Sequence, residues 1–170
     1  ASLKGQQDIR IIPRIEGYLQ GIYVKEGQKV KEEQLLFRIE AATYRAAVEA
    51  ANANVQQMTA ALEKAQLEYE GSQKLHAKNV ISDHELALSK SELDMAKANL
   101  AAAQAALTSA RNELSYTELR SPSDGVVGRI RYRKGDFVSP NIQDGLTIVA
   151  GNPAVKTSME QKNVSFKVNF

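Results

Sequence analysis

The chain has 170 residues, of which 43% are hydrophobic and 25% charged, with a formal net charge of +2. These values exclude a disordered or membrane-spanning chain and predict one or two small globular units. Cysteine is absent and only two histidines are present, which excludes disulfides, thiolate catalysis and zinc–thiolate sites and argues against any metal or cofactor site. No run of 18 apolar residues occurs, so we expect any membrane attachment to lie in a segment outside this chain.

The first part of the chain is predicted to be β-structure. Residues 1–8 are interpreted as a linker or a strand of a β-barrel domain. Residues 9–40 contain short apolar runs bounded by Gly, Pro and Asp, a pattern typical of strands and turns.

Residues 41–116 are predicted to form an antiparallel coiled-coil hairpin of two helices. This stretch holds 20 alanines and a single glycine, Gly71, and is otherwise rich in Gln, Glu, Lys and Leu. Large apolar residues recur every seven positions in both halves, which indicates two seams that pack against each other. The first series is Val48, Val55, Leu62 and Tyr69, and the second is Leu86, Leu93, Leu100, Leu107 and Leu114. The antiparallel register pairs Val55 with Leu107 and Leu62 with Leu100.

The reversal between the two helices is predicted near residue 80. Asn79 can adopt the left-handed conformation that ends a helix, and Ser82 followed by Glu85 forms a capping box that begins the next one. Leu75, Val80 and Ile81 place apolar side chains at this distal turn, where the chain offers no core to cover them all. Exposed apolar clusters of this kind mark partner sites.

Residues 117–150 are predicted to repeat the first β-segment. Four positions match at an offset of 108 residues and two at an offset of 110, which predicts two halves of one β-sandwich. The pairs are Gly17 with Gly125, Ile22 with Ile130, Gly27 with Gly135, Val30 with Val138, Leu36 with Leu146, and Ile39 with Val149. The glycines, spaced ten residues apart in each half, are expected at turns.

One basic cluster lies in the second half. Arg129, Arg131 and Arg133 are predicted on one face of a strand, with Ile130 and Tyr132 on the other. No aromatic platform accompanies the arginines, so nucleic-acid binding is not expected. A lateral contact with another copy or with a transporter is the preferred interpretation, and a solvated strand face is the alternative.

The remaining residues, 151–170, are interpreted as a linker and a strand of an incomplete β-barrel domain. Val164, Phe166, Val168 and Phe170 alternate with polar residues, as in a half-buried strand.

The order of half-motif, heptad hairpin and half-motif resembles the periplasmic adaptor proteins, or membrane fusion proteins, of bacterial tripartite efflux pumps. The similarity is greatest to adaptors of resistance-nodulation-division (RND) transporters. The most specific part of the similarity is the stretch after the hairpin, where the matching residues are Tyr116, Thr117, Ser121, Pro122, Gly125 and Val127. In the first half, Glu33 stands where members of the family often have glycine.

This resemblance implies an α+β fold, with the α-hairpin inserted between two halves of a lipoyl-like β-sandwich and remnant strands of a further β domain. It also implies a structural, non-enzymatic role in the periplasm of a Gram-negative bacterium. The adaptor would link an inner-membrane transporter, most simply of the RND type, to a TolC-type outer-membrane channel, assemble as a hexamer, and serve export of drugs or other small compounds. The membrane anchor would lie outside this chain.

The resemblance further implies channel docking by the hairpin tip through an Arg-x3-Leu-x6-Ser pattern. Leu75 and Ser82 occupy the last two positions, but Gly71 replaces the arginine. The predicted docking residues are therefore Leu75, Val80, Ile81 and Ser82, and arginine docking does not carry over.

Alternative functions remain open at this point. The chain could be the adaptor of an ABC-type exporter or of a type I secretion system. A coiled-coil scaffold would need only the heptads and would leave the repeated half-motifs unexplained. A lipoyl or biotinyl carrier needs a lysine in a tight turn between the halves, where this chain has the hairpin instead. No nucleophile, base and orienting group form a recognisable set, so an enzyme is not expected.

Overall fold

The computed structural model describes residues 8–151. Within them the chain divides into two compact units, a helical unit over Ala42–Leu114 and a β unit made of the described residues on either side of it. Apart from Asp8 and Gly151, the predicted β-barrel segments 1–8 and 151–170 lie outside the described residues. The strands of the β unit are β1 (Ile9–Ile11), β2 (Gly17–Ile22), β3 (Lys29–Val30), β4 (Leu35–Ile39), β5 (Glu118–Arg120), β6 (Gly125–Val127), β7 (Phe137–Val138) and β8 (Thr147–Ala150).

The eight strands form two antiparallel four-stranded sheets. Their orders are β1-β8-β6-β3 and β5-β4-β2-β7. Each sheet contains two strands from each half of the chain, and replacing every strand by its repeat counterpart converts one order into the other. The two halves therefore interlock into one sandwich, which confirms the predicted fold class.

The internal repeat extends to individual hydrogen bonds. The Gly27 amide donates to the Val127 carbonyl oxygen at 2.7 Å, and its counterpart Gly135 donates to the Leu19 carbonyl oxygen at 2.8 Å. Both glycines adopt positive φ, 81° and 95°, a conformation that glycine reaches without steric cost. The predicted turns at these two glycines are confirmed.

The other glycine pair does not lie in turns, so that part of the prediction is wrong. Gly17 opens β2 and Gly125 opens β6. A Cβ on Gly17 would lie 2.5 Å from Ile39 Cγ2, and one on Gly125 would lie 2.2 Å from the Ala150 carbonyl oxygen. These positions require glycine because the neighbouring strand approaches too closely for any side chain.

The core lies between the sheets and is supplied by both halves, with seven buried residues from the first and five from the second. Val30 and Val138 are both buried, as are the repeat partners Leu36 and Leu146. Phe37 is the largest side chain in this interior. Burial of matched aliphatic residues from both halves stabilises the sandwich mainly through the hydrophobic effect.

Glu33 adopts a left-handed conformation, with φ of 68°. This conformation costs a non-glycine residue roughly 1–2 kcal/mol, while glycine loses about 0.5–1 kcal/mol through the entropy of the unfolded chain. We therefore expect Glu33→Gly to raise the free energy of unfolding by about 0.5–1 kcal/mol, measured by denaturant titration.

The neighbouring Glu32 provides the control for this prediction. Glu32 is exposed and does not have positive φ. Glu32→Gly should therefore lower the free energy of unfolding, since only the entropic cost remains. Equal destabilisation by both substitutions would contradict the proposed strain at Glu33.

The helical unit consists of α1 (Ala42–Ala77) and α2 (Asp83–Ser115). All residues of both predicted heptad series are buried or half-buried, and the companion positions between them follow the same pattern. Leu107 is buried as predicted, whereas Leu100 is only half-buried. This periodic burial confirms the coiled-coil hairpin. The pairing of Val55 with Leu107 stays a prediction.

Candidate functional site

The turn between α1 and α2 is built as a Schellman motif. Asn79 has φ of 59°, its amide donates to the His76 carbonyl oxygen, and the Val80 amide donates to the Leu75 carbonyl oxygen, both at 2.9 Å. These are the two hydrogen bonds that define this type of helix end. The predicted left-handed role of Asn79 is confirmed.

The next helix begins at Ser82, as the capping pattern predicts. The Glu85 amide donates to Ser82 Oγ at 3.2 Å, and the Leu86 amide donates to the Ser82 carbonyl oxygen at 3.1 Å. Ser82 thus satisfies amide groups that would otherwise lack a partner at the start of α2. Its side chain remains exposed, so capping and contact with a partner are compatible.

The hairpin tip, defined as Leu75, Val80, Ile81 and Ser82, exposes apolar surface. Leu75 is 44% exposed and Val80 is 64% exposed, while Ile81 is half-buried. The backbone of the turn is fixed by hydrogen bonds at both ends, so these side chains project from an ordered turn. Apolar groups held in this way favour association with another apolar surface.

Polar and charged groups surround the tip. His76 Nε2 lies 2.5 Å from Asp83 Oδ1, so the last turn of α1 contacts the first residue of α2. Lys74 and Lys78 are exposed on the same end of the hairpin. Gly71 offers no side chain, and nothing lies within 4 Å of the position that its Cβ would take.

The basic cluster is not a strand, which corrects the prediction for residues 129–133. The amide of Ile130 donates to the carboxylate of Glu26 at 2.9 Å instead of to a neighbouring strand. The alternation of faces is nevertheless present, because the arginines are exposed while Ile130 and Tyr132 pack against the core. The exposed residues are Arg129, Arg131 and Arg133.

Within the described residues, Arg131 is the one arginine of this cluster that forms an ion pair. Its Nη1 lies 2.7 Å from Asp144 Oδ2, and both side chains are more than half exposed. Such a surface pair contributes little to stability. The cluster therefore presents charge to solvent and does not hold the sandwich together.

An exposed aromatic pair on the β unit was not predicted. Tyr18 and Phe137 are opposite each other on β2 and β7, with ring centroids 5.3 Å apart in an edge-to-face arrangement. They are 56% and 52% exposed. At the repeat-related positions the other sheet has Val126 and Lys29, so the fold does not require aromatic residues there. Comparing the two halves at the offset of 108 would have revealed this difference.

The same sheet carries a small ionic network on β4 and β5. Glu118 accepts hydrogen bonds from Arg120 at 2.7 Å and from Arg38 at 3.2 Å. The hydrogen bond and charge of Arg120, with a smaller effect of Arg38, lower the pKa of the Glu118 carboxyl group, although partial burial opposes the shift. The Arg38 guanidinium also lies 5.5 Å from the centre of the Tyr23 ring.

The described residues contain no group of three His, Asp or Glu side chains that could hold a metal ion. Neither α1 nor α2 is long and apolar enough to cross a membrane. The tip exposes apolar side chains, and the two β-unit surfaces expose arginine and aromatic side chains.

Comparison with known proteins gives one consistent result. The family described as "RND MFP, barrel-sandwich hybrid domain" matches residues 7–150. The efflux pump periplasmic linker BepF of Brucella suis is 30% identical over 155 residues, which cover 91% of this chain and 38% of BepF. The multidrug resistance protein MdtA of Pantoea ananatis is 26% identical over 159 residues, which cover 92% of this chain and 39% of MdtA.

Solved structures agree with these relatives. A MacA–MexA chimeric protein that contains the Pseudomonas aeruginosa MexA α-hairpin domain has a TM-score of 0.62 and is 31% identical. That match covers 85% of this chain and 46% of the chimera. The present chain thus spans about two fifths of the length of the curated relatives.

Proposed function

Because the chain belongs to the RND membrane fusion protein family of periplasmic adaptors, we propose that it joins an inner-membrane efflux transporter to a TolC-type outer-membrane channel. The observation that carries this proposal is the ordered tip, with Leu75 and Val80 exposed on a turn closed by hydrogen bonds. A hydrophobic contact between the positions of Leu75 and Val80 often accompanies this type of helix end, yet the two side chains keep 44% and 64% of their surface exposed. This exposed apolar area is available to a partner surface.

We propose that the channel docks end-on against the tip. Leu75, Val80 and Ile81 would supply the apolar contact, and Ser82 would cap α2 and border the contact at once. Gly71 cannot provide the arginine that the family's docking pattern contains, so positive charge would come from Lys74 or Lys78. The contact would therefore depend more on apolar burial than on a bidentate arginine.

The β unit would mediate the other contacts of the assembly. Arg129, Arg131 and Arg133 would face a neighbouring adaptor in a hexamer or the RND transporter, since their charge faces solvent and contributes little to the fold. The aromatic pair of Tyr18 and Phe137 is a second exposed surface on this unit. The role of the chain in this proposal is mechanical and not enzymatic, and the exported compounds are drugs or other small molecules selected by the transporter.

These 170 residues contain no cysteine, so an introduced thiol is unique within them and allows a direct test of tip docking. Val80→Cys places a thiol at the most exposed apolar residue of the tip. A short bifunctional reagent applied to intact pump-containing cells should cross-link it to the TolC-type channel. We expect an adduct of the adaptor and the channel, detected with antibodies to both proteins.

Leu67→Cys provides the matched control. Leu67 is 69% exposed on α1 but lies outside the tip, so its thiol is equally reactive and should give little or no channel adduct. Equal yields from both thiols, or an adduct from Leu67→Cys alone, would argue against end-on docking.

A further inference from the structure

The seam between α1 and α2 changes chemistry at its distal end. Its positions over residues 48–69 of α1 and 93–114 of α2 carry Val, Leu, Met, Tyr or Ala. The next seam positions toward the turn are Ser72 and Ser89, followed by His76 and Leu86, and all four are half-buried. The apolar seam is therefore interrupted by polar residues before the turn.

The two serines weaken the hairpin at one level. In the predicted antiparallel register, which pairs Val55 with Leu107, Ser72 lies within one residue of the level of Ser89. The hydroxyl oxygen of Ser89 is buried and has no hydrogen-bond partner among the described residues. A buried hydroxyl without a partner is destabilising, and small polar side chains bury little apolar area.

Two further residues weaken the same region. Gly71 lies inside α1, where glycine is destabilising because its backbone loses more conformational entropy on folding than that of any other residue. Nothing lies within 4 Å of the position that a Cβ would take there. Beyond it, the half-buried His76 contacts the fully solvated carboxylate of Asp83, a pairing that contributes little in water.

The outer surface changes in the opposite sense. Leu75, Val80 and Leu88 are 44%, 64% and 52% exposed. Leu67 and Met95, just outside this region, are 69% and 62% exposed, whereas residues 42–66 and 96–115 expose no comparably large apolar side chain. Over residues 67–95, polar groups thus interrupt the seam and apolar groups face outward, the reverse of what a self-contained helical hairpin requires.

We propose that residues 71–91 form a distal segment that opens while the rest of the hairpin stays folded, with its hinge at Gly71 and at the Ser72–Ser89 level. This opening lets Leu75, Val80 and Leu88 adapt to the channel surface. The use of this opening in channel contact rests on the proposed docking function, whereas the opening itself does not. Locally weak segments of this kind are typical of elements that rearrange on binding.

Amide hydrogen exchange tests the opening on the purified protein. We expect amides within residues 71–91 to exchange at least about tenfold faster than those of the hairpin seam closer to the β unit, with a step near residues 71 and 91. Ser89→Ala should slow exchange throughout the segment by about fivefold or more, because it removes the buried hydroxyl.

Ser91→Ala is the control, because it makes the same change in helix propensity at an exposed position of the same helix. It should leave the exchange pattern unchanged. If the amide exchange rate instead rises gradually toward the turn and neither substitution changes it, the helix ends are only fraying. That result would overturn the proposed segment.

A reversible lock tests whether docking uses the opening. Ser72→Cys combined with Ser89→Cys should form a disulfide across the weak level, suppress the fast exchange and lower export until the disulfide is reduced. Met58→Cys combined with Ala103→Cys places a second lock in the stable part of the seam and should leave export unchanged. Unaltered export with the distal lock would overturn the functional statement, even where Val80→Cys cross-links to the channel.

Discussion

Leu75→Asp is expected to abolish export in cells while leaving the purified protein folded. Leu75 is 44% exposed, so the substitution creates no cavity in the seam and should change helix content and melting temperature little. Docking would bury the new carboxylate against an apolar channel surface without a partner, which is strongly unfavourable. Export is measured as accumulation of a fluorescent pump substrate.

Leu67→Asp is the matched substitution for this experiment. It places the same charge on the same helix at a side chain that is 69% exposed and lies outside the tip. We expect near wild-type export from it. If Leu75→Asp exports as well as the wild type, or if both substitutions abolish export equally, the hairpin works through its sides and not through its tip.

The helical features could be predicted from the sequence because each depends on local rules. A seven-residue period fixes which side of a helix is buried, so the seam residues were predictable without knowledge of the partner helix. Asn79 and Ser82 act through hydrogen bonds within a few residues of themselves, and their roles at the turn were predictable for the same reason.

For the β unit, the core residues were predictable from the sequence, but the close approaches between strands and the backbone hydrogen bonds around Ile130 were not. The repeat predicted matched core pairs such as Leu36 with Leu146, because both halves must fill one interior. It did not predict that Gly17 and Gly125 face a neighbouring strand, since close approach depends on the packed structure. The segment around Ile130 has strand-like alternation, yet its amide bonds to the distant Glu26 carboxylate.

The candidate contact surfaces were the least predictable from local sequence. The exposure of Tyr18 and Phe137 depends on their position at one edge of a sheet whose strands come from distant parts of the chain. Alternation alone cannot distinguish an aromatic residue facing solvent from one facing the core. The tip is the exception, because a turn between two long helices leaves part of its apolar surface uncovered.

Replacing residues 42–115 by a short glycine-rich linker is expected to leave a cooperatively melting β-sandwich. The strands that flank the hairpin are direct neighbours, because Arg38 of β4 pairs with Glu118 of β5 and the Ile39 amide donates to the Thr117 carbonyl oxygen at 2.7 Å. A short linker can therefore connect them without strain. Shorter connections also lower the entropic cost of closure. Circular dichroism and calorimetry would measure the transition.

The two halves produced separately should show no cooperative transition at all. Within residues 8–41 only β2 and β4 pair with each other, and within residues 115–151 only β6 and β8 do. Isolated two-stranded pairs are marginally stable at best in water, so neither half can bury its share of Leu36, Phe37 or Val149. Mixing the two halves should restore the sandwich signal, because each sheet needs strands from both. A cooperative transition in either half alone would contradict the interlocked fold.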